Sequence, residues 1–105
     1  MELIITARNF ALSDALQQYA RKKMSKLKRF AHDIIDSNLV LEKDKSVSII
    51  ELTLSVRHSF ITSKVKNPDI YQGINDAFKK IERQLNKYEA KFRERKRLAR
   101  KTRRV

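Results

Sequence analysis

Between Val47 and Arg57 the chain alternates strictly, with Ile50, Leu52, Leu54 and Val56 interleaved with Glu51, Thr53, Ser55 and Arg57. A period of two belongs to a β-strand with one buried and one wet face. A sheet built on such a strand has a single face left to cover. Helices elsewhere in the chain must therefore lie together on that face.

The remaining elements follow from pattern and punctuation. Glu2 to Arg8 reads as a strand with Leu3 and Ile5 on one side and Ile4 and Thr6 on the other, covered on both faces or near an edge. Ser13 caps a helix whose apolar arc is Leu12, Leu16, Tyr19, Ala20, Met24, Leu27 and Phe30. Lys23 falls inside that arc, so its stem should lie along the core while its head reaches a cleft. Ala31 to Asn38 reads as a connection, Leu39 to Glu42 as a strand, and Lys43-Asp44-Lys45-Ser46 as a polar turn. After a tight connection at His58-Ser59, Phe60 to Lys66 returns as a fourth strand, with Ile61 and Val65 facing the core.

Asn67-Pro68-Asp69 opens a long second helix. Pro68 biases Asn67 away from helix, Asp69 can cap, and Gln72 stands where a capping box wants it. Ile70, Ile74, Ala77, Phe78, Ile81, Leu85, Tyr88 and Phe92 then recur at helical spacing, to about Arg97. The order β-α-β-β-β-α predicts an α+β fold. Its four-stranded mixed sheet is parallel across the first crossover and antiparallel after it, with both helices on one face.

Charge is concentrated in the helical segments and the tail. The net charge is +13; residues 13–30 carry six bases and one acid, and residues 89–105 nine bases and two acids. At ~100° per residue, Lys80, Arg83, Gln84, Lys87 and Lys91 form a basic stripe beside the apolar face of the second helix. Such a stripe can line a groove between the two helices, with Lys23 and Lys26 reaching it from the first. The bland alternative is a solvated charged face. From Arg93 the bases point all round; this is a solvated helix extension or, as favoured here, an arm that orders against RNA. A polyanion is the expected partner, and nucleic acid the foremost candidate.

Little in the chain suits catalysis. There is no Cys and a single Gly, so thiolate sites and Gly-rich phosphate loops are excluded. His32 and His58 have no metal-spaced partner, and the acids Asp33, Asp36, Glu42 and Asp44 are scattered. No metal, cofactor or small-molecule substrate is therefore expected. The start carries no basic region leading into a long apolar run, and no run approaches ~18 apolar residues. A cytoplasmic protein without a membrane partner is expected. Helix-turn-helix, zinc-finger and aromatic-platform motifs are absent, and Phe60 and the tyrosines form no stacking platform on a strand. What remains is an RNA binder that reads backbone and shape.

The chain resembles the short ribosome hibernation-promoting factors, also called protein Y or ribosome-associated inhibitors. The resemblance rests on Leu3 to Thr6, on Ser13-Asp14-Ala15-Leu16 and on Lys23-x-x-Lys26-Leu27. It rests further on Asp69-x-Tyr71-x-x-Ile74 and on Lys80-x-x-Arg83-Gln84-Leu85-x-Lys87. It covers residues 1–92, which would be the ribosome-binding domain, with 93–105 a basic and flexible tail. The resemblance implies a fold like that of double-stranded-RNA-binding domains, no enzymatic activity, and a monomer off the ribosome. It implies binding to 16S rRNA of the small subunit, at the A and P sites of the 70S ribosome, to exclude mRNA and tRNA and store idle ribosomes. Lys22, Lys23, Lys26, Lys80, Arg83, Gln84, Lys87 and Lys91 would contact the rRNA. Long members carry a second, dimerising domain that this sequence lacks. Short members that oppose ribosome pairing end in an acidic tail, whereas this tail is basic through Arg104, so the resemblance assigns neither outcome. The rivals are a general double-stranded-RNA binder or constitutive ribosomal protein, and a small RNA-processing enzyme. The last needs a clustered acid or His site that the chain does not display.

Overall fold

The computed structural model describes residues 2–102. Its elements are β1 (Ile4–Arg8), α1 (Asp14–Ser25), a 3₁₀ turn (Lys28–Phe30), β2 (Ile34–Asp44), β3 (Val47–Val56), β4 (Ser59–Asn67) and α2 (Ile70–Thr102). The sheet order is β1-β2-β3-β4; β1 and β2 are parallel, and the other neighbours antiparallel. The expected α+β architecture is thus present. β1 is an edge strand, with Leu3 buried just before it and Ile4 exposed.

β3 is the strand the alternation marks out. Ser48, Ile50, Leu52, Leu54 and Val56 are buried in strict alternation with half-buried residues. Ile61, Ser63 and Val65 continue the buried face on β4, and Leu39 and Leu41 on β2. From the helices Leu16, Ala20, Met24, Ile74, Ala77, Phe78, Ile81 and Leu85 close over them as one core.

β2 is longer than the sequence suggests, starting at Ile34 and not at Leu39. Asp36-Ser37-Asn38 has the composition of a turn, yet its backbone pairs with β3 and, at Asn38, with β1, so tertiary pairing overrides propensity. A register shift between Ile34 and Asp36 marks where the irregular residues are absorbed. The apolar arc of the first helix also misleads at its end. α1 stops at Ser25, and Leu27 and Phe30 are buried through the 3₁₀ turn instead.

Two caps hold the helix starts. The Leu16 amide donates to Ser13 Oγ at 3.1 Å, and the Tyr71 amide donates to Asp69 Oδ1 at 3.0 Å. The capping box is not closed, because the Gln72 amide nitrogen donates instead to Asp76 Oδ1, one turn further on, at 2.9 Å. α2 continues beyond Arg97 to Thr102. Its 93–102 stretch holds Arg, Lys, Glu, Leu, Ala and Thr, with no Pro or Gly to stop it. The expectations for 103–105 lie outside the described residues.

α2 lies over β3 and β4 with α1 at its side. The approach to β3 is close at Gly73. A Cβ there would overlap Ile50 Cδ1 and stand 3.3 Å from Ile50 Cγ1 and 3.4 Å from Asn67 Cβ. The buried Ser63 hydroxyl donates to the Ala77 carbonyl at 2.9 Å and ties α2 to β4.

Candidate nucleic-acid interface

Contacts on either side of α2 decide where its basic stripe faces. On one flank Gln84 Nε2 donates to the Thr62 carbonyl of β4, and the Tyr88 hydroxyl donates to the Arg57 carbonyl at the β3–β4 turn, each at 2.9 Å. On the other flank the Tyr71 ring meets Tyr19 of α1 edge-on at 5.0 Å between centroids, and Asn86 Oδ1 accepts from Arg29. The first flank overhangs β4, the last strand in the sheet; the second faces α1.

Lys80, Lys87 and Lys91 share the β4 flank with Gln84, and at ~100° per residue Arg83 points away from the core. The expectation that the basic flanks of both helices meet over the groove between them is therefore not met. α2 turns Tyr71 and Asn86 to that groove and its bases outward and toward β4. Helical phase separates the two flanks of an apolar face but does not say which one meets the neighbouring helix. Sheet order and the side taken by the crossover decide that, and neither is written in the α2 sequence.

α1 supplies the other bases. Lys22 and Lys26 are exposed and Lys23 is half-buried, with Nζ 5.3 Å from the Tyr19 ring centroid. The half-burial fits a stem lying along apolar surface, and the head rests over the Tyr19 ring instead of reaching a cleft. The outer surface of the helix layer so carries Lys22, Lys23 and the C-capping Lys26 at one helix and Lys80, Arg83, Lys87 and Lys91 on the other. Among the described residues none of these seven stands within 4.0 Å of a carboxylate; the ion pairs present are His32–Asp33 and Glu89–Arg93. Bases without acid partners remain available to phosphates. Gln84 is partly committed, since one N–H of its amide donates to β4, leaving the second N–H and the carbonyl oxygen for a ligand.

The sequence reading missed one feature. An open cleft of about 400 Å³ runs between the β3–β4 turn and α2, lined among others by Arg57, Phe60, Gln84, Lys87, Tyr88 and Lys91. Its two walls come from distant parts of the chain. The only local signal was Phe60, a large aromatic on the wet phase of its strand. For metals, no group of three His, Asp or Glu side chains stands together among the described residues.

Known proteins resemble this chain along most of its length. The family model described as sigma 54 modulation protein / S30EA ribosomal protein matches residues 3–93. The ribosome hibernation promoting factor of Salmonella typhimurium is 29% identical over 94 residues, 90% of this chain and 99% of that protein. The ribosome hibernation promotion factor of Staphylococcus aureus is 29% identical over 87 residues, 80% of this chain but only 46% of its own length. This chain thus spans about half of that longer relative. A ribosomal subunit interface protein from Coxiella burnetii superposes with a TM-score of 0.80 at 23% identity, over 86% of this chain and 99% of its own. The N-terminal domain of Thermus thermophilus Protein Y gives 0.74 at 22% identity, over 82% and 94%. At these identities the two structures speak for the fold.

Proposed function

This chain belongs to the sigma 54 modulation protein / S30EA ribosomal protein family, and on that premise we propose that it is a ribosome hibernation factor. It binds 16S rRNA of the small subunit, in the idle 70S ribosome, and occupies the A and P site region so that mRNA and tRNA are excluded. The observation that carries this reading is the outer surface of the helix layer, where seven bases stand without carboxylate partners among the described residues. Lys22, Lys26, Lys80, Arg83, Lys87 and Lys91 grip phosphates, and counterion release supplies most of the affinity. Lys23, held against Tyr19, fixes the approach of α1 to the RNA. Gln84 pins α2 to β4 through one amide N–H and contacts rRNA through the second N–H and its carbonyl oxygen. Residues 93–105 add charge without a facial pattern and strengthen binding without choosing the site. Occupancy is the whole function, and no bond is made or broken. The protein works in the cytoplasm and is a monomer off the ribosome.

Sedimentation with purified small subunits tests this. The protein should travel with them, and initiator tRNA with mRNA should displace it. Co-sedimentation unaffected by tRNA and mRNA would point to a constitutive ribosomal protein or a general double-stranded-RNA binder, and would refute the proposal.

A further inference from the structure

Phe60 is the most exposed large hydrophobic residue among those described, at 76%. A single exposed apolar residue needs no special explanation. Its surroundings do. Phe60 stands on β4 opposite Ser55, a small partner that leaves the ring uncovered. It lines the same cleft as Arg57, Lys87 and Lys91, and among the described residues no Asp or Glu lines that cleft. The Tyr88 hydroxyl, bonded to the Arg57 carbonyl, fixes the turn against α2 and so holds the cleft's two walls together. A bare aromatic face beside three cations calls for a ligand that is planar at one end and anionic at the other.

An unpaired nucleotide has that chemistry. Unstacked bases lie on aromatic side chains whatever their sequence, because every base offers a π-face, while basic side chains follow the backbone. A cleft of about 400 Å³ admits one such unit. It is also continuous with the basic surface described above, since Lys87 and Lys91 belong to both. An apolar peptide would leave these cations unpaired, and a duplex would hide its base faces from Phe60.

We infer that the cleft at the β4 edge captures one unpaired nucleotide of the bound RNA, its base stacked on Phe60 and its phosphates held by Arg57, Lys87 and Lys91. This rests on the rRNA-binding reading and adds a recognition element to it: the RNA surface must present an extruded base beside the helical phosphates that α1 and α2 contact.

The test compares wild type with Phe60→Ala, Phe60→Leu and Phe60→Tyr, by affinity for purified small subunits and by dimethyl sulfate probing of the rRNA. Because the ring is exposed, all variants should melt as wild type does, which circular dichroism checks. Phe60→Ala and Phe60→Leu should each bind roughly 5- to 150-fold more weakly, the worth of one stacked base. Phe60→Tyr, which keeps the π-face, should bind within about twofold of wild type. The altered reactivity of one unpaired nucleotide should vanish in the Ala and Leu variants while the rest of the footprint stays. If wild type binds but Phe60→Leu matches it in affinity and footprint, stacking is wrong and the ribosome reading survives. If wild type leaves no footprint, both fall.

Discussion

The close approach of α2 to β3 can be tested by a pair of substitutions whose effects must not add. Gly73→Ala gains about 1 kcal/mol of helix propensity. The new methyl overlaps Ile50 Cδ1, and Ile50 is fully buried in the core. Overpacking of this kind costs about 1–3 kcal/mol, so Gly73→Ala should lose about 1 kcal/mol net. Ile50→Val alone removes a buried methyl and should lose about 1 kcal/mol. It removes the very atom that the new methyl would strike. In the double variant the substituted alanine keeps its propensity gain without the overlap, and the total should return close to wild type, against an additive expectation of about 2 kcal/mol lost. Urea unfolding of the four proteins measures this as shifts in midpoint at constant slope. Losses that add to within about 0.5 kcal/mol would show that Gly73 does not sit on Ile50, and that the seating of α2 described here is wrong.

Other consequences are simpler. Phe78 is 4% exposed between α2 and the sheet, and Phe78→Ala should cost about 3–5 kcal/mol in the same unfolding assay. Ser63 and Ser37 are both buried, but Ser63 donates to Ala77 while Ser37 Oγ has no partner among the described residues. Ser63→Ala should therefore lose about 1 kcal/mol and Ser37→Ala none; the reverse order would refute the assignment. Deleting residues 98–105, which carry Arg100, Lys101, Arg103 and Arg104, should weaken association with small subunits and flatten its salt dependence without moving the rRNA footprint.

Much of the fold was legible because its signals are local. The alternation through β3, the Ser13 cap and the apolar positions of α2 each need only neighbouring residues to be read. What was not legible depends on partners. Asp36 to Asn38 is strand because β1 and β3 flank it, and the polar Ser37 is buried for the same reason. Gln72 prefers Asp76 to the capping box, a choice between two nearby partners that spacing does not resolve. At the site, the bases and their exposure could be read, as could the odd position of Lys23. The orientation of the stripe could not, because nothing local says which flank of α2 faces α1 until Gln84 finds Thr62 and Tyr71 finds Tyr19. Gln84 reads as a ligand contact in sequence, and its additional bond to the Thr62 carbonyl, a tie to the sheet edge, could not be read there.

We propose that the outer basic surface of the helices, and not net charge, holds the ribosome. Arg83→Glu with Lys87→Glu removes two contacts and adds two repulsions on that surface. Lys45→Glu with Lys66→Glu changes net charge equally at exposed positions in the β2–β3 turn and on β4, outside the helices. Exposed charges contribute little stability, so both double variants should melt as wild type does. Affinity for small subunits at ~0.1 M salt should fall at least about a hundredfold for the helix variant, its salt slope dropping by about two, and only severalfold for the sheet variant. Equal losses in the two double variants would mean that charge alone explains binding, and would contradict the account.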